Sequence, residues 1–188
     1  MTSNISLSPH FCLEEFTKSS TAMKHGIKNT PPQEAVDNLK ALCQGCLEPL
    51  REALGLPVVI TSGYRTKTLN SMLAHSSERS QHMLGQAADF YVGEAQVSGS
   101  KIQVPGNLKL ETGDSPVKLE TPRQRLIRAF HLIIQSEQID YDQLILYPSF
   151  IHVSYVSKEK NRRGILKAQG NGKLGYGRLS LSSALQIQ

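Results

Sequence analysis

Apolar residues recur at helical spacing twice along the chain, and elsewhere they gather in short runs of the kind that form strands. Val36, Leu39, Leu42, Cys43, Cys46, Leu47 and Leu50 make the first stripe. Ahead of it, Thr30, Pro31, Pro32 and Gln33 supply an N-cap, a proline for the first turn and a capping-box glutamine, so a helix is predicted to start there. Pro49 should bend or interrupt that helix, and Gly55 stands where a C-terminal cap belongs. Leu126, Ile127, Phe130, Ile133 and Ile134 make the second stripe, opened by Thr121-Pro122-Arg123-Gln124 with the same capping logic. It predicts a helix to about Glu137, with His131 off the apolar face. A shorter helix is predicted over residues 66–74, with Leu69, Met72 and Leu73 facing inward. Strands are predicted at residues 57–61, 87–91 and, from its apolar-polar alternation, 150–155. Near the start, Phe11, Leu13 and Phe16 read as anchors onto the core beside a short turn of helix. Residues 93–120 are rich in Gly, Ser, Pro and charge, and they read as an inserted hairpin or flexible flap.

Composition narrows the class. The chain has 188 residues, 39% of them hydrophobic, enough to bury one sizeable core. There is no apolar run long enough to span a membrane, and Glu14 and Glu15 interrupt the N-terminal segment where a signal peptide would need a continuous apolar stretch. No signal peptide is therefore predicted, so synthesis in the cytoplasm is expected and the final location is left open. Three cysteines, Cys12, Cys43 and Cys46, are an odd number and argue against a disulfide framework. Cys43 and Cys46 have C-x-x-C spacing, but both fall on the apolar side of the first helix and read as core.

The formal net charge of +5 gathers at one end. From Lys158 onward, Lys158, Lys160, Arg162, Arg163, Lys167, Lys173 and Arg178 face a single acid, Glu159. Such a segment draws anionic polymers, nucleic acid among them, by long-range attraction, or is simply a solvated basic face. Nucleic acid ranks last as a partner, because the segment has neither aromatic interleaving nor a recognised motif. The sequence gives no oligomeric state.

The chemistry centres on Ser80-Gln81-His82-Met83-Leu84-Gly85-Gln86-Ala87-Ala88-Asp89-Phe90. His82 and Asp89 are both metal-capable, and Gly85 between them gives the turn freedom to bend. A catalytic zinc site uses three protein ligands and leaves a fourth position for water, so a third ligand is needed. His152, on the alternating strand at 150–155, is the candidate, and pairing of its strand with that of Asp89 would bring the three together.

Ser80-x-His82-x-x-Gly85-x-Ala87-x-Asp89, preceded by Ser62-Gly63-Tyr64-Arg65 and followed by Ile151-His152-Val153-Ser154, resembles the zinc D-Ala-D-Ala carboxypeptidase family, peptidase family M15. Phe11 to Phe16, Asn29-Thr30-Pro31-Pro32 and Pro49-Leu50-Arg51 resemble the opening of the domain in its small members, so the likeness covers most of residues 7–156. It implies an α+β fold, with helices packed on a small antiparallel sheet in the Hedgehog/DD-peptidase-like arrangement. The domain would span residues 1–157 with an insertion at about 93–120, and 158–188 would be a basic C-terminal extension. It also implies Zn2+ held by His82, Asp89 and His152, and a peptidoglycan peptide substrate bound by Arg65 and Ser80. The Arg65 fork would meet a terminal carboxylate. Residues 142–147 resemble the strand before the last ligand.

One position departs from this pattern. Many members of the family carry Glu or Asp three residues before the last zinc histidine, as general base, and here that residue is Ser149. The catalytic base is therefore unassigned, with Tyr147 and Glu78 as weak candidates. Two expectations result: a zinc peptidase cutting peptidoglycan stem peptides, as a D-Ala-D-Ala carboxypeptidase or related endopeptidase, or a non-catalytic module that keeps the zinc and binds cell-wall peptide.

Overall fold

A computed structural model describes residues 5–74, 76–94 and 120–188. Most of the segment read as an inserted hairpin or flap lies outside the described residues. The chain opens with a small hairpin, β1 (Ser6–Ser8) and β2 (Phe11–Cys12), and two short helices, α1 (Leu13–Thr17) and α2 (Ser20–Lys24). Helices α3 (Gln33–Leu42) and α4 (Glu48–Leu54) follow, then β3 (Val58–Ser62), α5 (Lys67–Met72), β4 (Ala87–Val92), α6 (Pro122–Gln135), β5 (Gln143–Leu146), β6 (Ile151–Ser154), β7 (Gly164–Ala168), β8 (Tyr176–Arg178) and α7 (Leu181–Leu185).

The first predicted helix is present but starts later. Pro31 and Pro32 hold the backbone extended, because a proline ring disfavours helical torsions in the residue before it. Pro32, at φ −69° and ψ 163°, stands at the N-cap, and no side chain caps the turn. At its other end α3 passes into a widened turn, Cys43–Leu47, before α4. Pro49 accounts for the break. It has no N–H to donate to the carbonyl of Gly45, four residues back, and that carbonyl instead accepts from the Asp140 N–H at 3.0 Å. Gly45 also faces the Tyr155 ring so closely that an added Cβ would meet it at 2.6 Å. Gly55 closes α4 in the left-handed conformation, φ 62°. Helix α6 carries the predicted capping box at Thr121 and Gln124. In α5, only Leu69 and Asn70 are buried; the helix ends after six residues, so Met72 is exposed rather than turned inward.

The main sheet has six strands in the order β3-β4-β6-β5-β7-β8. All neighbours are antiparallel except β5 and β7, which run parallel, so the sheet is mixed where an antiparallel one was expected. The parallel pair arises because the chain leaves β6 and crosses back before adding β7 beside β5. Residues beyond Ser157, set apart in the sequence as a basic extension, thus contribute two strands to the same sheet as the ligand strands. Their apolar positions explain why: Ile165 and Ala168 are buried, and Ala184 of α7 is fully buried.

One face of this sheet is closed by helices, with Ala88, Phe90, Leu144, Leu146, Ile151 and Val153 packed in a single core with Leu39, Leu50, Leu126, Phe130 and Ile133. The other face carries a row that crosses all six strands in register: Ser62, Asp89, His152, Ile145, Leu166 and Arg178. The period of two puts the ligands on the face opposite the core. Among the described residues, no helix is long and apolar enough to cross a membrane.

Candidate metal centre

His82 sits on a single tight turn, Gln81–Leu84, that follows Ser80 and ends at Gly85. Gly85 has φ 69°, and an added Cβ would lie 2.2 Å from the Ala35 carbonyl oxygen, so both its conformation and its contact with α3 demand glycine. The turn delivers the imidazole into a buried position, where Nδ1 donates to the Gly63 carbonyl at 2.7 Å. This bond settles the tautomer: the proton is on Nδ1 and the lone pair of Nε2 points toward the sheet. Burial lowers the His82 pKa, which keeps the ring neutral, the form a metal needs.

Asp89 on β4 and His152 on β6 are direct cross-strand partners, so the pairing register alone brings them together. His152 Nδ1 lies 2.8 Å from Asp89 Oδ1, His82 Nε2 is 3.2 Å from His152 Nδ1, and His82 Nε2 is 3.4 Å from Asp89 Oδ1. Three ligands on a tetrahedron with bonds of about 2.0–2.1 Å stand roughly 3.3 Å apart, so these three atoms fit a zinc-sized ion. The set is also chemically incomplete without a cation, because the His82 lone pair faces a carboxylate oxygen. The other oxygen, Oδ2, accepts from Arg65 Nη2 at 3.1 Å, and Arg65 is braced by Ser62 Oγ at 2.9 and 3.1 Å. Arg65 therefore aims Asp89 as well as lining the cleft.

The cleft over these atoms has a volume of about 900 Å³. Arg65, Ser80, Tyr147 and all three metal-capable residues line it, so the structure brings together every site residue read from the sequence except Glu78. Glu78 is exposed on the preceding loop, outside the lining. Ser149 is likewise exposed, in the turn between β5 and β6. Tyr147 stacks on Phe150 with ring centroids 4.1 Å apart, and its hydroxyl lies 2.9 Å from that of Tyr176. Burial, helped by the Tyr176 bond, pushes its pKa up, so the phenol keeps its proton and serves as a hydrogen-bond donor rather than a base. Among the described residues of the lining, Asp89 is the one carboxylate.

Among the lining residues that the sequence reading did not assign to the site are four polar ones, Gln143, Arg162, Lys173 and Tyr176. Three of them come from the segment beyond Ser157. Asp142, also unforeseen, is 1% exposed and accepts from Arg162 and from Gln81 Nε2, the neighbour of His82. Only the parallel pairing of β7 with β5 brings Arg162 near Asp142, and no local pattern announces it.

Two histidines and a carboxylate, converging from a helical turn and two paired strands onto an open cleft, define a metal-dependent hydrolase centre. The family profile for Peptidase M15 matches residues 9–104, just over half of the chain, and the chain belongs to that family of metallopeptidases. The matched span holds Arg65, Ser80, His82 and Asp89, while His152 lies beyond it. No curated protein matches the chain significantly.

Proposed function

We propose that this protein is a zinc peptidase that cuts peptidoglycan stem peptides, as a D-Ala-D-Ala carboxypeptidase or a related cell-wall endopeptidase. The observation that carries the reading is the His82, Asp89 and His152 triangle, with edges of 2.8 to 3.4 Å, in a Peptidase M15 chain. Bound there, zinc would supply Lewis-acid polarisation of the scissile carbonyl and a water of lowered pKa. The chain's own residues prepare the site. His82 presents Nε2 because Gly63 holds its other proton, and Arg65 turns Asp89 Oδ1 inward by binding Oδ2. Tyr147 brings a protonated hydroxyl to the cleft, suited to donating toward a developing oxyanion. Ser80, beside the first ligand, offers a hydroxyl to the peptide.

A second reading, a module that binds cell-wall peptide without cutting it, is favoured by the cleft's lack of a further carboxylate among the described residues. General-base assistance typically contributes about 10²–10⁴-fold, so its loss would leave turnover slow or absent. Elemental analysis and a muropeptide digest followed by mass spectrometry decide the matter together. The expected result is about one zinc per chain, abolished in His82→Ala, with loss of a D-alanine or of a stem-peptide fragment from the digest. Full zinc content in His82→Ala would place the metal elsewhere. Intact muropeptides with zinc and peptide binding retained would select the binding module.

A further inference from the structure

The cleft is strongly one-sided in charge. Among the described residues, Arg65, Arg79, Arg162 and Lys173 line it, against the single carboxylate of Asp89, which the histidines and Arg65 already engage. A recess of this sign attracts anions. Arg65 is poorly placed to hold one by itself, since its side chain is only 16% exposed and its Nε and Nη2 donors are engaged by Ser62 and Asp89.

Arg162 is braced at the same two donors but on a side chain that reaches into the open. Its backbone N–H and its Nε donate to Asp142 Oδ1 at 2.9 and 2.8 Å, and its Nη2 donates to Oδ2. Asp142 is buried and saturated, because Gln81 Nε2 also donates to Oδ2 at 3.0 Å. One carboxylate thus ties Arg162 to the turn that carries the first metal ligand. A guanidinium presents five N–H groups in a planar fork. Asp142 occupies the Nε and Nη2 edge; the Nη1 and Nη2 edge is left on a side chain that is 65% exposed and lines the cleft. Two parallel N–H groups of this kind match the two oxygens of a carboxylate. The next residue, Arg163, has φ 51°, the one positive φ outside glycine among the described residues. A left-handed conformation in such a residue is retained only where its surroundings enforce it, and here it lies at the bend from Arg162 into β7.

We propose that Arg162 is a substrate-binding residue that takes a carboxylate of the peptide at a second subsite, with Asp142 as its positioning residue, so that the preferred substrate is an acidic peptide. The inference rests on the peptidase reading of the metal centre. Arg162 precedes β7, which lies two strands from β6, at about 4.8 Å per strand. The carboxylate therefore belongs to a residue removed from the scissile bond, not to the bond's own flank.

The test uses the zinc-loaded full chain and three peptides: L-Ala-γ-D-Glu-L-Lys-D-Ala-D-Ala, the same peptide with the D-Glu α-carboxyl amidated, and the same peptide with its C-terminus amidated. Binding is measured by calorimetry and cleavage by chromatography. The wild type is expected to bind the parent about tenfold tighter than the amide whose blocked carboxyl lies farther from the bond that is cut, and Arg162→Gln to bind that pair alike while retaining its zinc. Arg162→Lys keeps the charge but loses the paired edge, so it should retain only part of the preference; it also serves as the variant should Arg162→Gln fail to fold. A wild type indifferent to both amidations, a preference confined to the carboxyl that flanks the cut bond, or an Arg162→Gln protein that keeps the full preference, overturns the proposal. Cleavage of all three peptides without preference would do so while leaving the peptidase reading intact. Preference without any cleavage would support Arg162 and overturn the peptidase reading instead.

Discussion

At His82 the protein fixes a tautomer before any metal arrives. The Gly63 carbonyl takes the Nδ1 proton, burial keeps the ring neutral, and the lone pair is left facing Asp89 and His152. Arg65 does the equivalent for Asp89, binding Oδ2 so that Oδ1 is turned to the histidines. Such supports orient ligands, and their removal typically costs about 10–100-fold in metal affinity. Arg65→Lys keeps a positive charge but not the planar fork that spans Ser62 and Asp89. Its zinc affinity, read by competition with a chelator, should fall by about that factor. An unchanged affinity would show that Arg65 serves the substrate and not the ligand.

Among the elements, the passage from α3 to α4 shows how one proline shapes a core. Pro49 cannot donate to Gly45, the turn widens, and the released carbonyl is taken by Asp140, while the bare Gly45 lets the Tyr155 ring close over it. Tyr155 follows the strand of His152, so this contact holds the ligand strand against the helical layer. Gly45→Ala forces its methyl group against that ring at 2.6 Å, and overpacking of this kind typically costs about 1–3 kcal/mol. The midpoint of urea unfolding should fall accordingly. A midpoint unmoved by the added methyl would mean that Tyr155 swings away freely.

On the scale of the whole molecule, the sheet is one unit from β3 to β8, and the segment beyond Ser157 closes both the core and the cleft. Ile165, Ala168 and Ala184 are buried, and Leu179, Leu185 and Ile187 pack on the same core. Fully burying each large aliphatic side chain contributes about 1.5–3 kcal/mol, against a total stability of about 5–15 kcal/mol for an ordinary domain. A chain ending at Ser157 should therefore lose its cooperative thermal transition and its stoichiometric zinc. Retention of both, by circular dichroism and elemental analysis, would make the segment a dispensable appendage.

Much of this protein is legible in its sequence because the signals are local. Periodicity and capping residues foretell α3 and α6, alternation marks the ligand strand, and a glycine between two metal-capable residues marks the turn that separates them. The residues that would hold a metal are named by their type and by the motif around them. What the sequence does not contain is the register and the partners set by pairing between distant segments. The direct opposition of Asp89 and His152, the use of Arg65 on Asp89, and the exposed place of Ser149 follow from strand register. The basic run after Lys158 reads as a tail because charge dominates its composition. Yet a few buried aliphatics and one parallel pairing make it a wall of the cleft, and they put Arg162 on a buried Asp142 twenty residues earlier. Helix and turn propensities act over a handful of residues and can be read in a line; register and the partners of buried charges are chosen only when the whole core closes.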